Sequence, residues 1–410
     1  MRLLYNIFLG IYWFGVFIVS PFNSKARKFL KGRTGLFSRI KKEIPKDADI
    51  IWFHAASLGE FEQGRPVIEA LRKEKPEIKI LLTFFSPSGY EIRKDYKGAD
   101  YIYYLPLDLS WNAKRFIKLI NPKTVYFIKY EFWFNYMRVL HNLNIPVYCF
   151  SANFRPGQAF FKWYGFWYRG ILHKFTHFYV QNQQSKILLE EKVGIKNVTV
   201  CGDTRFDRVS QIAENTKPLP IVERFKNGRR IVIAGSTWPT DEDILIRYIN
   251  SSETDCKFII APHEIHESNI LLLSSQINRK VSRYSQISAS SFIESDVLII
   301  DNVGILSLVY QYGNIAYIGG GFGKGIHNIL EAATFGLPVI FGPKYQKFHE
   351  AFELINRGGA TAVHNYSSLK IAADKFLNDP VSFQKASLAC KALIQESKGA
   401  TESILKTSLQ

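Results

Sequence analysis

Ile315-Ala-Tyr-Ile-Gly-Gly-Gly-Phe-Gly-Lys-Gly-Ile-His-Asn-Ile-Leu-Glu331 is the stretch on which the fold turns. Four apolar residues, Ile315 to Ile318, have the length of a buried parallel strand, and the glycines after them release the chain into a turn. The spacing of His327, Asn328 and Glu331 predicts the first turn of a helix. Strand, glycine loop and helix in that order are the local grammar of a parallel α/β sheet. Glycines let backbone N–H groups approach a phosphate closely, and a helix start adds the positive end of its dipole, so the loop suits an anion. It follows neither the dinucleotide fingerprint in its usual first-strand position nor a Walker loop, because no Gly-Lys-Ser/Thr occurs here. The bland alternative is a tight turn with Glu331 completing a helix cap. The polar trio favours a ligand, with Glu331 placed to accept hydrogen bonds from a ribose diol.

Working outward, the same grammar repeats from Asp49 onward. Strands are expected at 50–54, 78–85, 101–106, 124–128, 146–150 and 177–180. After a linker at 216–227, rich in proline and mixed charge, they recur at 230–234, 257–261, 297–300, 315–318 and 338–341. The expected organisation is an anchor over 1–22, a Rossmann-like domain over 23–217 and a second over 218–410, with the last helix free to pack back on the first domain. The two domains are expected to face a cleft with the carboxyl ends of their strands.

Composition limits the partners. The chain has 410 residues, enough for two α/β domains, and its formal charge of +17 implies an anionic partner: nucleic acid, an acidic membrane surface or a phosphorylated substrate. Its four cysteines, Cys149, Cys201, Cys256 and Cys390, are scattered and lie at no metal-ligand spacing, as in a reduced, cytosolic body. Leu3 to Val19 is almost wholly apolar and precedes Lys25, Arg27, Lys28, Lys31 and Arg33. A full span needs about 20 apolar residues, so this segment is borderline between a short membrane helix and an interfacial one. A cleaved signal peptide fits less well, because a convincing small-x-small cleavage site is lacking and Pro21-Phe22 follows directly. Positive charge after the anchor keeps the rest of the chain in the cytosol. Aromatic residues crowd Phe160 to Tyr168, which hints at an interfacial surface.

Other constellations fall at strand ends. His54-Ala55-Ala56-Ser57-Leu58-Gly59-Glu60 leads from the first strand into a helix, and Glu60 in that first turn, with an ordinary pKa of about 4.3, is charged at neutral pH. An ionised carboxylate there can accept a hydroxyl proton, although acidic residues also occupy first turns for stability alone. Lys129-Tyr130-Glu131-Phe132-Trp133 supplies a second candidate, Glu131. Ser151-Ala152-Asn153-Phe154-Arg155 and Gly202-Asp203-Thr204-Arg205 add Arg155 and Arg205. Pro262-His263-Glu264-Ile265-His266-Glu267 gathers two histidines and two glutamates, but the spacing is not that of a zinc motif, and a nucleotide-contacting loop is the better reading.

Taken in order, these motifs, with Ala234-Gly235-Ser236-Thr237 and Pro338-Val339-Ile340-Phe341-Gly342-Pro343, resemble the 3-deoxy-D-manno-octulosonic acid (Kdo) transferases of Gram-negative bacteria. The resemblance runs nearly end to end and is most specific at Ser57-x-Gly59-Glu60 and His327-Asn328-x-x-Glu331. It implies a GT-B fold and inverting transfer of Kdo, without cofactor or catalytic metal, from CMP-Kdo to a phosphorylated lipid A precursor on the cytoplasmic face of the inner membrane. On the resemblance Glu60 is the general base, and Ser57, Gly59, Glu131, Arg155 and Arg205 are acceptor-binding or cleft residues. The donor side comprises Ser236, Thr237, His263, Gly304, Gly320, Gly321, Lys324, His327, Asn328 and Glu331. Three positions depart from the family pattern. Pro262-His263-Glu264 lacks an arginine often present, Lys324 stands where arginine is frequent, and Arg205 stands where lysine is usual. The alternatives are a GT-B transferase or epimerase using a UDP-sugar, and a basic nucleic-acid-binding protein. Against the second stand the apolar amino terminus and the lack of a known RNA module, so no nucleic acid is expected.

Overall fold

Every residue of Val125 to Ile128 is buried, as befits a strand covered by helices on both faces rather than one. The computed structural model describes residues 2–288 and 294–409 of the chain and places this strand at the centre of the first of two parallel sheets. That sheet contains β1 (Ile50–Ala55), β2 (Lys79–Phe84), β3 (Tyr101–Tyr104), β4 (Thr124–Ile128), β5 (Val147–Ala152), β6 (His177–Val180) and β7 (Val198–Val200), in the order β3-β2-β1-β4-β5-β6-β7. The second contains β8 (Arg230–Thr237), β9 (Cys256–Pro262), β10 (Val281–Arg283), β11 (Val297–Ile299), β12 (Ile315–Ile318), β13 (Val339–Phe341) and β14 (Ala360–Ala362), in the order β10-β11-β9-β8-β12-β13-β14. Alternation along β1 feeds two cores. Ile51, Phe53 and Ala55 join one apolar cluster, and Ile50 and Trp52 join the other.

The chain divides into two compact units, one of Met1–Arg208 with Lys398–Gln410 and the other of Val209–Ser397. The last helix, Ala400–Ser408, belongs to the first unit. Its Ile404 and Leu405 pack with Phe61 and Ile68 of the helix Leu58–Glu74, and Asp207 accepts hydrogen bonds from the N–H groups of Gly399 and Thr401 and from the Thr401 hydroxyl. The stretch expected to be an irregular linker contains a helix, Pro220–Lys226, opened by a proline at its first turn.

The amino-terminal helix, Arg2–Val19, exposes Leu3, Leu4, Phe8, Ile11, Phe14 and Phe17 and buries Leu9. Among the described residues no helix is long and apolar enough to cross a membrane. A polar knot ties this helix to the body of the first unit. Asp108 accepts from the Tyr5 hydroxyl at 2.8 Å and from the backbone N–H groups of Asn135 and Tyr136, each at 2.9 Å, while the Asn135 amide donates to Asn6. Burial pushes the Asp108 carboxyl up to about 7, against the pull of those donors. In the unfolded chain it would titrate near ~3.9. The folded state therefore binds the extra proton between those values, and the stability this contributes is full below the lower value and lost as pH rises through 7. Thermal stability is accordingly expected to fall from pH 6 to pH 8, and Asp108→Asn should flatten that slope in melting curves.

Candidate functional site

In an open parallel sheet, neighbouring strands whose connections leave in opposite directions part at their carboxyl ends and leave a crevice there. In the first sheet that switch lies between β1 and β4, and in the second between β8 and β12. The Ser57–Glu60 turn and Glu131 follow β1 and β4. The Thr237–Asp241 segment and the glycine loop follow β8 and β12.

In the first unit, Ser57 precedes the helix Leu58–Glu74, and its N–H donates to Glu60 Oε2 at 3.0 Å. Glu60 thus completes a helix cap and is also a candidate base. Contrary to the ordinary pKa expected of it, its carboxyl is raised, first by burial and then by the charge of Glu131; Lys129, His54 and a hydrogen bond from the Ala56 backbone oppose this. A raised value makes it a stronger base. Lys129 leaves β4 with φ of +66°, a conformation that costs a non-glycine residue about 1–3 kcal/mol and that turns the chain sharply before Glu131. Glu131 Oε2 lies 3.2 Å from His54 Nε2 and accepts from Trp133 Nε1 at 2.9 Å. Gly59 faces open space, so the fold itself does not demand a glycine there. Gly59→Ala is expected to leave the unfolding midpoint unchanged or slightly raised, because alanine is the better helix former.

In the second unit, Asp241 is fully buried and organises the loop. It accepts from the Tyr317 hydroxyl at 2.8 Å, the Gly320 N–H at 2.8 Å and the Trp238 N–H at 3.0 Å. Gly320 has φ of +90°, a left-handed conformation natural only to glycine. A Cβ on Gly321 would stand 2.5 Å from the backbone nitrogen of Gly342, so Gly321→Ala must push the two loops apart. Its expected effect is a loss of about 1–3 kcal/mol, read by chemical denaturation beside the Gly59 variant.

Three rings stack next to this loop. Trp238 lies on His263 with centroids 4.4 Å apart, and His263 lies on His327 at 4.7 Å. Trp238 Nε1 donates to His327 Nε2 at 3.0 Å, so that nitrogen carries no proton. Burial, then His263, lowers the His327 pKa in keeping with a neutral ring. A pocket lined by Thr237, Trp238, Glu242, Pro262, Glu264 and Asn269 opens beside the shelf.

The helix expected to open at His327 starts only at Leu330 and has four residues. The His327 N–H bonds back to the Gly319 carbonyl at 3.1 Å, so the loop closes on itself first. Asn328 precedes the helix, accepting from the Leu330 N–H at 3.2 Å and donating to Glu331 Oε1 at 3.0 Å. The helix-dipole argument for an anion therefore falls away, and the loop N–H groups and shape remain. Lys324 is exposed on the loop, and Gly304, with φ of +98°, lies on the loop after β11. Ser236 is strained at φ of +55°, and the Thr237 hydroxyl donates to Glu242 at 2.8 Å. Arg155 is exposed just past β5. Arg205 is forked onto Asp203 at 2.9 and 2.7 Å, and its neighbour Thr204 donates to the Gln63 carbonyl on the Glu60 helix. Among the described residues no group of three or more His, Cys, Asp or Glu side chains is placed to hold a metal ion.

Asp241, Trp238 and Tyr317 carry much of this geometry without having been expected to, and His54 was quoted only as part of a motif, with no role of its own. Asp241 reads in sequence as one of several acids after Pro239, an ordinary first helical turn, and only its burial sets it apart.

A family model described as 3-deoxy-D-manno-octulosonic-acid transferase (kdotransferase) matches residues 29–208. Over 336 residues the chain is 29% identical to the 3-deoxy-D-manno-octulosonic acid transferase of Aquifex aeolicus, covering 79% of this chain and 86% of that one. The Haemophilus influenzae protein of the same name is 25% identical over 407 residues, covering 95% and 92%. Among solved structures, a UDP-GlcNAc 2-epimerase from Neisseria meningitidis aligns with a TM-score of 0.61 at 15% identity, covering 88% of this chain and 99% of the other. Acinetobacter baumannii MurG aligns at 0.54 and 12% identity, covering 88% and 98%. These structural likenesses are likenesses of fold, the pairing of Rossmann-like domains called GT-B.

Proposed function

The chain belongs to the 3-deoxy-D-manno-octulosonic acid transferase family, and from that premise we propose that it transfers Kdo from CMP-Kdo to a phosphorylated lipid A precursor in lipopolysaccharide biosynthesis. The observation that carries the reading is the half-buried carboxylate pair at the switch point of the first sheet, Glu60 with a raised pKa and Glu131 beside two ring nitrogens. In the proposed step an acceptor hydroxyl oxygen forms a bond to the anomeric carbon of Kdo as its proton passes to Glu60. The bond from that carbon to the phosphate oxygen breaks, and CMP departs with the electron pair. Loop N–H groups around Gly320 and Gly321, with Lys324, would stabilise the phosphate, and the Trp238-His263-His327 shelf would flank the nucleotide. Arg155 and Arg205 are the basic groups offered to acceptor phosphate.

A lipid acceptor accounts for the apolar surface of the first unit. Trp163 is 88% exposed and Phe22 93% exposed, Tyr164 and Phe166 lie open beside Trp163, and Tyr5 of the amino-terminal helix packs on Trp167 at 5.4 Å. With Lys25, Arg27, Lys28 and Lys31 adjacent, this composition suits an interfacial helix lying on an anionic membrane, the cytoplasmic face of the inner membrane on this reading. The fold likeness to a UDP-sugar epimerase motivates a direct comparison of nucleotides. CMP is expected to raise the melting temperature more than UDP at equal concentration; the reverse order would favour the UDP-sugar alternative.

A further inference from the structure

Gln63 is 3% exposed, yet its Oε1 is enclosed and has no hydrogen-bond partner among the described residues. A buried polar atom without a partner forfeits its hydration and gains nothing in its place, so proteins seldom keep one that has no other use. The backbone at this point is, by contrast, firmly tied. The Thr204 hydroxyl donates to the Gln63 carbonyl at 2.6 Å and pairs with the Ser151 hydroxyl at 2.9 Å.

The helix Leu58–Glu74 places the amide beside the reacting groups rather than deeper in the core. It connects β1 to β2, which are parallel, and so runs from the carboxyl ends of the strands back toward their amino ends. Gln63 stands one turn after Glu60, on the face that carries Val67, Ile68 and Leu71 inward. A Cβ on its neighbour Gly64 would collide with the side chain of Ile128, the last residue of β4, and would lie 3.7 Å from the Phe150 ring of β5. Gln63 is one residue nearer the carboxyl ends, at the level of Lys129 and Ser151. Those two residues have φ of +66° and +58°, and left-handed backbone at non-glycine residues gathers at binding and catalytic sites. A helical side chain also leans toward the amino end of its helix, which carries the amide toward Glu60.

In the step proposed above, Glu60 takes the proton of one acceptor hydroxyl. Building on that reading, we propose that Gln63 is an acceptor-binding residue whose carboxamide hydrogen-bonds a second sugar hydroxyl, beside the one that Glu60 deprotonates. A carboxamide can give or take a hydrogen bond, and so can a hydroxyl, so the two match in either sense. The small open surface of Gln63 suits a hydroxyl and not a phosphate, which is bulkier and falls to Arg155 and Arg205. Such a contact is shut off from water, which strengthens it, and the ligand supplies the partner that the fold does not.

Gln63→Met and Gln63→Leu keep the volume of the side chain and remove its hydrogen bonds. Both are expected to melt at or above the wild-type temperature, because an unpaired amide no longer has to be buried. Calorimetric titration of the full chain with a phosphorylated glucosamine disaccharide, free of acyl chains and of any sugar donor, is the direct test. Both variants should bind it about 3- to 10-fold more weakly than wild type. In the transfer assay the KM for acceptor should rise by the same factor, while kcat and the KM for CMP-Kdo stay near wild type. Wild-type affinity and KM in the folded variants would overturn the proposal. Unfolding of both variants would overturn it too, since the amide would then belong to the fold. A wild-type protein that binds the disaccharide and transfers no Kdo would sink the proposed function, and the binding comparison would still decide the role of Gln63.

Discussion

Glu60→Gln is expected to reduce Kdo transfer by about 10²- to 10⁴-fold, the range a positioned general base supplies, while CMP binding stays at its wild-type level. Glutamine is the informative replacement. Its amide oxygen can still accept the Ser57 N–H that Glu60 accepts now, so the helix Leu58–Glu74 keeps its cap. Alanine would lose that cap and add about 0.5–2 kcal/mol of destabilisation to the catalytic effect. Removing the charge should not weaken the fold. A carboxyl whose pKa is raised by burial and by Glu131 contributes least to stability when ionised, at neutral pH, so the Gln variant should melt at or above the wild-type temperature. For the same reason wild-type kcat/KM should fall as pH drops through a value above the usual carboxylate range, and that limb should vanish with Glu60. Retained transfer in a folded Gln variant would remove Glu60 from the chemistry.

The second large effect belongs to Asp241. Its two carboxylate oxygens satisfy three donors at the heart of the second unit, the Tyr317 hydroxyl and the N–H groups of Gly320 and Trp238. Asp241→Ala leaves all three without an acceptor in a buried place. An unsatisfied buried donor costs about 1–3 kcal/mol, so a loss of roughly 3 kcal/mol or more is expected even when the effects are not additive. Asparagine should rescue in part, because its Oδ1 can keep both N–H groups while its NH₂ donates to the Tyr317 hydroxyl oxygen. The consequence for function is local. The Gly320 N–H would lose its fixed direction, and Trp238, which caps the same network, would release its hold on His327. Hydrogen exchange at Gly320 should quicken and the thermal shift produced by CMP should disappear, while the amides of the first sheet keep their protection. Equal loosening of both units would show that Asp241 is no local organiser.

What the amino-acid sequence reveals, and what it conceals, follows from the range of the interactions. Ile315 to Ile318 is legible because Asn314 and three glycines bound an apolar run with nowhere else to go. Thr124–Ile128 lies between Lys123 and Lys129, and His177–Val180 between Thr176 and Gln181, polar residues that bound each run. Val198–Val200, Val281–Arg283 and Ala360–Ala362 escape notice because three residues at a sheet edge display no period. The helix expected at His327 fails for a different reason. Gly320 and Gly325, at φ of +90° and +136°, fold the loop back so that the His327 N–H meets the Gly319 carbonyl, and helical geometry is postponed to Leu330. Local spacing cannot report a hydrogen bond that reaches backward across the turn.

The candidate site divides along similar lines. Glu60 and Glu131 stand out in the sequence because each follows a strand, but their mutual influence arises from β1 pairing with β4, which no local pattern encodes. That influence is why the carboxyl of Glu60, expected to be ordinary, is raised. Arg205 illustrates the opposite outcome. By the resemblance it is an acceptor-binding or cleft residue, and in the fold it is forked onto Asp203 and must share itself with any phosphate.

The measurement that bears most directly on the proposed activity is mass spectrometry of a phosphorylated lipid A precursor incubated with the protein and freshly generated CMP-Kdo. A product heavier by one or more Kdo units, formed by the wild type and not by Glu60→Gln, is the predicted result. An unmodified precursor from a folded protein that binds CMP, or modification by a UDP-sugar instead, would contradict the assignment.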